Sequence, residues 1–188
     1  MEYDTSALEI GDIAIVKSYT ILGTIISASF YRKSKLDWKI NDLPSSHTGI
    51  YNDGMNPSIV ESLMFSGVTE TPIGKYIKMI KLGRVEVIFA RPIPSFSPED
   101  RQKIEEYLIG KVGKGYDFLS YVSHIWRILL RLPPVCQIQS ISKYFCTELT
   151  KTVYRWIGRD IFEEWVSPLS PEKLIVEQKL EIVAHWHK

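Results

Sequence analysis

The chain has 188 residues, of which 45% are hydrophobic, 12% aromatic and 24% charged. That composition excludes a disordered tail or a low-complexity array, and a chain this long can bury a sizeable core without staples, so one domain over residues 1–188 is expected. Lys+Arg 23 against Asp+Glu 22 leaves a net charge of +1, which provides no global field for gathering nucleic acid or anionic lipid.

The first residues, MEYDTSALEIGD, lack the basic and then apolar run of a secretory signal, and a cytoplasmic site of action is expected. The β-branched run Ile10 to Val16 suits a strand entering a core. Ile21 to Phe30 is apolar and mixed, and the basic cluster Tyr31 to Lys39 reads as a solvated loop or short helix. Thr48 to Tyr51 and Ser58 to Leu63 are strand candidates separated by Asn52, Asp53, Gly54, Asn56 and Pro57, which is strong turn chemistry. Val85 to Ala90 reads as a further strand, ended by Pro92 and Pro94.

Ser97-Pro98-Glu99-Asp100 combines a capping hydroxyl, a proline at the first helical position and acids in the first turn, so a helix is predicted over Pro98 to Ile109 with Gly110 as its stop. A second helix is predicted over Phe118 to Leu130, ended by Pro133-Pro134. The wider apolar stretch to Leu132 is broken by His124, Arg127 and Arg131 and is shorter than the ~20 apolar residues of a bilayer span, so no integral membrane span is expected. Phe145 to Ile157 carries Phe145, Leu149, Val153 and Trp156 on one helical face, and Gly158 follows as a stop. Ser170-Pro171-Glu172 opens a short helix, and Leu180 to Trp186 reads as a last strand. By element order the class is α+β, a mixed sheet with helices packed on one side.

Two cysteines, Cys136 and Cys146, are too few for a disulfide framework and suit a reducing compartment. Cys146 falls at the predicted start of a helix, where unpaired N–H groups and the macrodipole bias a thiol toward thiolate, the species that attacks carbonyls. Alone it reads more readily as a small buried hydrophobe, and a partner base is needed to favour the nucleophile. His47, at the start of the strand HTGIY, is the candidate base, because imidazole and thiol differ by only ~2 units in free pKa. Glu61, in the next strand candidate, is placed to orient the ring. Each has a plain alternative: a turn residue for His47, a solvent-facing strand residue for Glu61.

Taken in order, GDIAIV, SSHTGIY, IVESLMFSGVTETPI, GKGYDF, YFCTEL and SPLSPEKL resemble the successive motifs of the permuted papain-like cysteine hydrolases of the NlpC-type superfamily, in particular the YiiX/YebB-like branch. The resemblance spans Gly11 to about Leu174. It implies an antiparallel sheet packed against helices, with the nucleophile at a helix N-terminus. It also implies a triad of the histidine of H-x-G, a glutamate in the following strand and the cysteine of C-[ST]-E-L, which fall here on His47, Glu61 and Cys146. Tyr116 and Asp117 of GKGYDF resemble a family motif near the nucleophile helix and are candidates for lining the substrate cleft. Members of this superfamily act on amide or ester bonds of peptide or lipid substrates; the cysteine hydrolase expected here needs no metal or organic cofactor.

Other features carry structural readings. Glu148 complements the helix dipole from the first turn, Asp12 suits a turn, and Lys111 to Gly115 lack the phosphate-loop pattern. His185 and His187 share a strand face, yet no cysteine or acid is placed in sequence to complete a metal set. The sequence thus predicts a cysteine hydrolase acting on a small peptide or acyl substrate. The alternatives are an acyltransferase of the lecithin retinol acyltransferase type and a binding module with a papain-like cleft.

Overall fold

The computed structural model describes residues 3–20, 47–54, 56–115, 146–159 and 179–188. The readings at Tyr116, Asp117, Cys136 and His124, the runs from residue 21 to 39, and the helices placed at Phe118 to Leu130 and after Ser170 lie outside these residues. Among the described residues there are six strands and three helices. They are β1 (Ile13–Ser18), β2 (His47–Asn52), β3 (Ser58–Leu63), β4 (Gly67–Pro72), α1 (Ile73–Lys81), β5 (Val85–Pro92), α2 (Pro98–Ile109), α3 (Cys146–Trp156) and β6 (Leu180–Trp186). None of these helices is long and apolar enough to cross a membrane.

The strands form one sheet in the order β4-β3-β2-β1-β5-β6, and every pairing is antiparallel. This corrects the mixed sheet drawn from element order. The turn at Asn52 to Pro57 folds β3 back on β2, and the turn after Leu63 folds β4 back on β3, so consecutive strands reverse direction at each step. A second correction concerns the layers, because helices cover both faces rather than one.

The pleat sends successive side chains to opposite faces. Ile13, Ile15, Ile50 and Val60 join a core with Ile104 and Leu108 of α2 and Leu149 and Val153 of α3. Ala14, Val16, Tyr51 and Ile59 join a second core with Tyr76 and Ile80 of α1. Full burial of a Leu, Ile or Val side chain contributes ~1.5–3 kcal/mol, so Leu149 and Val153, both at 0% exposure, anchor α3 firmly.

Local chemistry sets the element ends. The Ser97 hydroxyl accepts the Asp100 N–H at 3.1 Å, and the Asp100 carboxylate accepts the Ser97 N–H, closing a capping box at the start of α2. β1 begins at Ile13 rather than Ile10 because Gly11, at φ +99°, and Asp12 form a turn, with the Asp12 N–H donating to the Glu9 carbonyl. The Asp12 carboxylate then takes two hydrogen bonds from Arg91 at 2.9 and 2.8 Å, tying that turn to β5 and giving Asp12 the structural part read from sequence.

Candidate active site

Cys146 is the first residue of α3, a half-buried thiol outside any disulfide, at the helix end where backbone N–H groups lack intrahelical partners. The side chains that bury α3 lie at helical spacing behind it, and the helix packs against β2 and β3. His47 opens β2, opposite Val16 of β1, with a side chain 17% exposed. Its Nε2 lies 2.6 Å from Oε2 of Glu61. That bond leaves Nδ1 for the second partner of the ring, the Cys146 side chain, to which His47 is also hydrogen-bonded. The three residues proposed from sequence are thus brought together, with the imidazole of His47 in contact with both the Cys146 side chain and the Glu61 carboxylate.

Glu61 lies on β3 directly across from Gly49, and alternation along β2 and β3 sends His47, Gly49 and Glu61 to one face. A Cβ at position 49 would come within 2.4 Å of Ile59 Cγ2 and 3.1 Å of Glu61 Cβ. The glycine of H-x-G therefore makes the room in which the glutamate side chain lies beside the histidine.

Glu61 is 1% exposed, and a bare carboxylate there would be costly. Two further donors offset that cost. The Tyr76 hydroxyl of α1 donates to Oε2 at 2.6 Å, and the Thr71 side chain of β4 hydrogen-bonds the same carboxylate. Burial pushes the Glu61 pKa up, but the hydrogen bond and charge of His47, with Thr71 and Tyr76, outweigh it and hold the carboxyl below its ordinary value. Burial likewise opposes the charged form of His47, yet hydrogen bonds to Cys146 and Glu61 and their charges raise it from 6.5 to about 10. Both contacts favour the imidazolium form of the ring.

Tyr76 and Thr71 are the site residues that sequence reasoning missed. The signal for Tyr76 was present, since Ile73, Tyr76, Ile77 and Ile80 stand at helical spacing. Glu148 lies in the first turn of α3, as expected of a residue facing the helix dipole.

A second cluster lies further along the sheet. Glu86 of β5 accepts the Tyr19 hydroxyl on Oε2 and bonds His185 Nε2 through Oε1, both at 2.5 Å, and the His185 and His187 rings lie 5.0 Å apart. The acid stands beside His185 because β5 and β6 pair in a register that brings Glu86 within reach. Among the described residues no three His, Cys, Asp or Glu side chains are grouped to hold a metal ion.

The described chain is therefore an α+β protein whose one antiparallel sheet carries a Cys-His-Glu set at the start of a helix. No family model and no curated protein matches the sequence. Among solved structures it is similar to the crystal structure of the metalloprotein yiiX from Escherichia coli O157:H7. The TM-score is 0.60 and 20% of residues are identical, over 96% of this chain and 98% of that one. The fold is thus YiiX-like.

Proposed function

We propose that the protein is a cysteine hydrolase with a permuted papain-like arrangement, cleaving an amide or ester bond of a peptide or acyl substrate. The observation that carries this reading is the set Cys146, His47, Glu61, with the imidazole hydrogen-bonded to both of the others. Coupling is reciprocal: a thiolate that raises the imidazole's pKa has its own lowered by the imidazolium. Cys146 attacks the substrate carbonyl as thiolate, and the oxyanion forms against backbone N–H groups at the start of α3, including that of Cys146. The imidazolium of His47 gives its proton to the departing amine or alcohol, leaving a thioester. A water molecule then gives a proton to His47 while its oxygen attacks the thioester, and the acid departs as Cys146 returns to thiolate.

The yiiX structure is titled a metalloprotein. Among the described residues the donor set does not match a metal centre, because Nε2 of His47 and Oε2 of Glu61 bond each other, the same oxygen also accepts from Tyr76, and no third ligand is grouped with them.

The test is intact-mass analysis after exposure to a panel of acyl and peptidyl electrophiles. A single acyl adduct that maps to Cys146 and vanishes in Cys146→Ala supports the reading. An adduct of equal yield in Cys146→Ala, or none from any probe, contradicts it.

A further inference from the structure

We propose that Tyr76 is a positioning residue, its hydroxyl acting with that of Thr71 to fix the Glu61 carboxylate so that Oε2 meets Nε2 of His47. The inference rests on the assignment of Cys146, His47 and Glu61 above and extends it to α1, an element that contributes none of the three. Two donors, Tyr76 and His47, converge on one oxygen at 2.6 Å each. A buried carboxylate held by the imidazole alone could rotate its second oxygen into the bond or take up a proton. With Tyr76 on Oε2 and Thr71 on the carboxylate as well, rotation breaks bonds that bulk solvent does not replace at 1% exposure.

Tyr76 suits this part because it stays a donor. It is 4% exposed, and burial together with the nearby charges of Glu61 and Cys146 holds its hydroxyl protonated well above the ordinary tyrosine range. The groups facing Glu61 among the described residues are His47 from β2, Thr71 from β4 and Tyr76 from α1, with Cys146 of α3 beyond the imidazole. Removing the Tyr76 hydroxyl takes away one charge-assisted bond while leaving the ring in its core, so Glu61 takes up a proton at higher pH. A neutral Glu61 no longer supports the imidazolium, and the thiolate is lost at higher pH in turn.

The test compares wild type, Tyr76→Phe, Glu61→Gln and the double variant by two readouts. The Glu61 carboxyl is titrated by carbon NMR, and Cys146 is alkylated with iodoacetamide across the acid pH range. In Tyr76→Phe the Glu61 midpoint should rise by about one pH unit, the size of one hydrogen bond to a charged group, and the acid limb of alkylation should rise with it. In the Glu61→Gln background the Tyr76→Phe change should leave the limb where it is. Thr71→Val, which removes the other supporting donor, should move both readouts in the same direction and serves if Tyr76→Phe fails to fold. An unchanged Glu61 midpoint, or an equal shift of the limb with and without Glu61, overturns the proposal. Failure of the hydrolase reading is seen separately as unchanged substrate adducts in Cys146→Ala, and the Glu61 midpoint decides the Tyr76 question even then.

Discussion

The sheet carries two tyrosine–glutamate–histidine clusters, built from the same residue types with hydrogen bonds of nearly the same length. In one, Tyr76 and His47 meet on a single oxygen of Glu61. In the other, Tyr19 and His185 take separate oxygens of Glu86. The first is deep, with side-chain exposures of 17% for His47 and 2% for Glu61, whereas the His185 side chain is 36% exposed and Tyr19 is 50% exposed. Among the described residues the one cysteine, Cys146, lies at the first cluster and not at the second. A bonded His–Glu pair is therefore common to both clusters and does not by itself single out either. What distinguishes His47 is burial and a thiol at a helix start beside its other nitrogen, which together make the pair's charge state matter to a nucleophile.

The sharpest way to break this comparison is to truncate the corresponding residues. With whichever acyl or peptidyl probe is hydrolysed, Cys146→Ala and His47→Ala should each lower turnover by about 10³-fold or more, since a nucleophile and its base act as a unit. His185→Ala should leave the same rate within about twofold. A comparable loss in His185→Ala would mean that the two clusters share one function. The glutamates should follow in the same order with a smaller effect. Glu61→Gln should cost about tenfold to a hundredfold in steady-state turnover, less than Cys146→Ala, and Glu86→Gln should cost almost nothing.

Stability separates the clusters through what lies across the sheet. Glu61 faces Gly49, whereas Glu86 faces Lys17, which already carries a side chain. Gly49→Ala should destabilise by about 2 kcal/mol in urea denaturation, because the new methyl overlaps Ile59 and Glu61. Gly54→Ala is the control, with its nearest neighbours at 3.7 Å.

The pH dependence of folding has a definite sign. The folded pKa of His47 is raised from 6.5 to about 10, so its contribution is complete below 6.5 and is lost as pH rises through about 10. The folded pKa of Glu61 is lowered from 4.5, so its contribution is present above 4.5 and is lost as pH falls through the lowered value. The stability gap between wild type and His47→Gln, measured by urea midpoints, should be widest between pH 4.5 and 6.5 and close toward pH 10. The smallest effect belongs to the more exposed histidine, where His185→Ala should change stability by about 1 kcal/mol or less.

How far the sequence revealed this arrangement varied from element to element. β3, α2 and β6 have the bounds expected, the first two because strong punctuation frames them, Asn56-Pro57 before β3 and Ser97-Pro98 before α2. β4 and α1 went unread. Gly67–Pro72 has Val68 as its one large apolar residue, so it lacks the alternation that marks a strand, and it is held by its pairing with β3. α1 follows without a side-chain cap, so its start gives no local signal. That gap hid Thr71 and Tyr76, and with them the donors that keep Glu61 in place. It also led to the expectation of helices on one face, since α1 is what covers the other. Cys146, His47 and Glu61 were legible because motif order placed them. Their contact depends on the register of β2 and β3 and on the packing of α3, neither of which spacing alone encodes.

The most direct measurement of the central claim is the rate of Cys146 alkylation by iodoacetamide against pH in wild type and His47→Ala, scored by peptide mapping with Cys136 as the internal reference. If His47 holds Cys146 as a thiolate, the wild-type residue should label much faster than Cys136 near neutral pH. Its acid limb should then move upward in His47→Ala, as the thiolate loses its imidazolium. Equal labelling of the two cysteines, or a Cys146 profile unchanged by the loss of His47, would contradict the account.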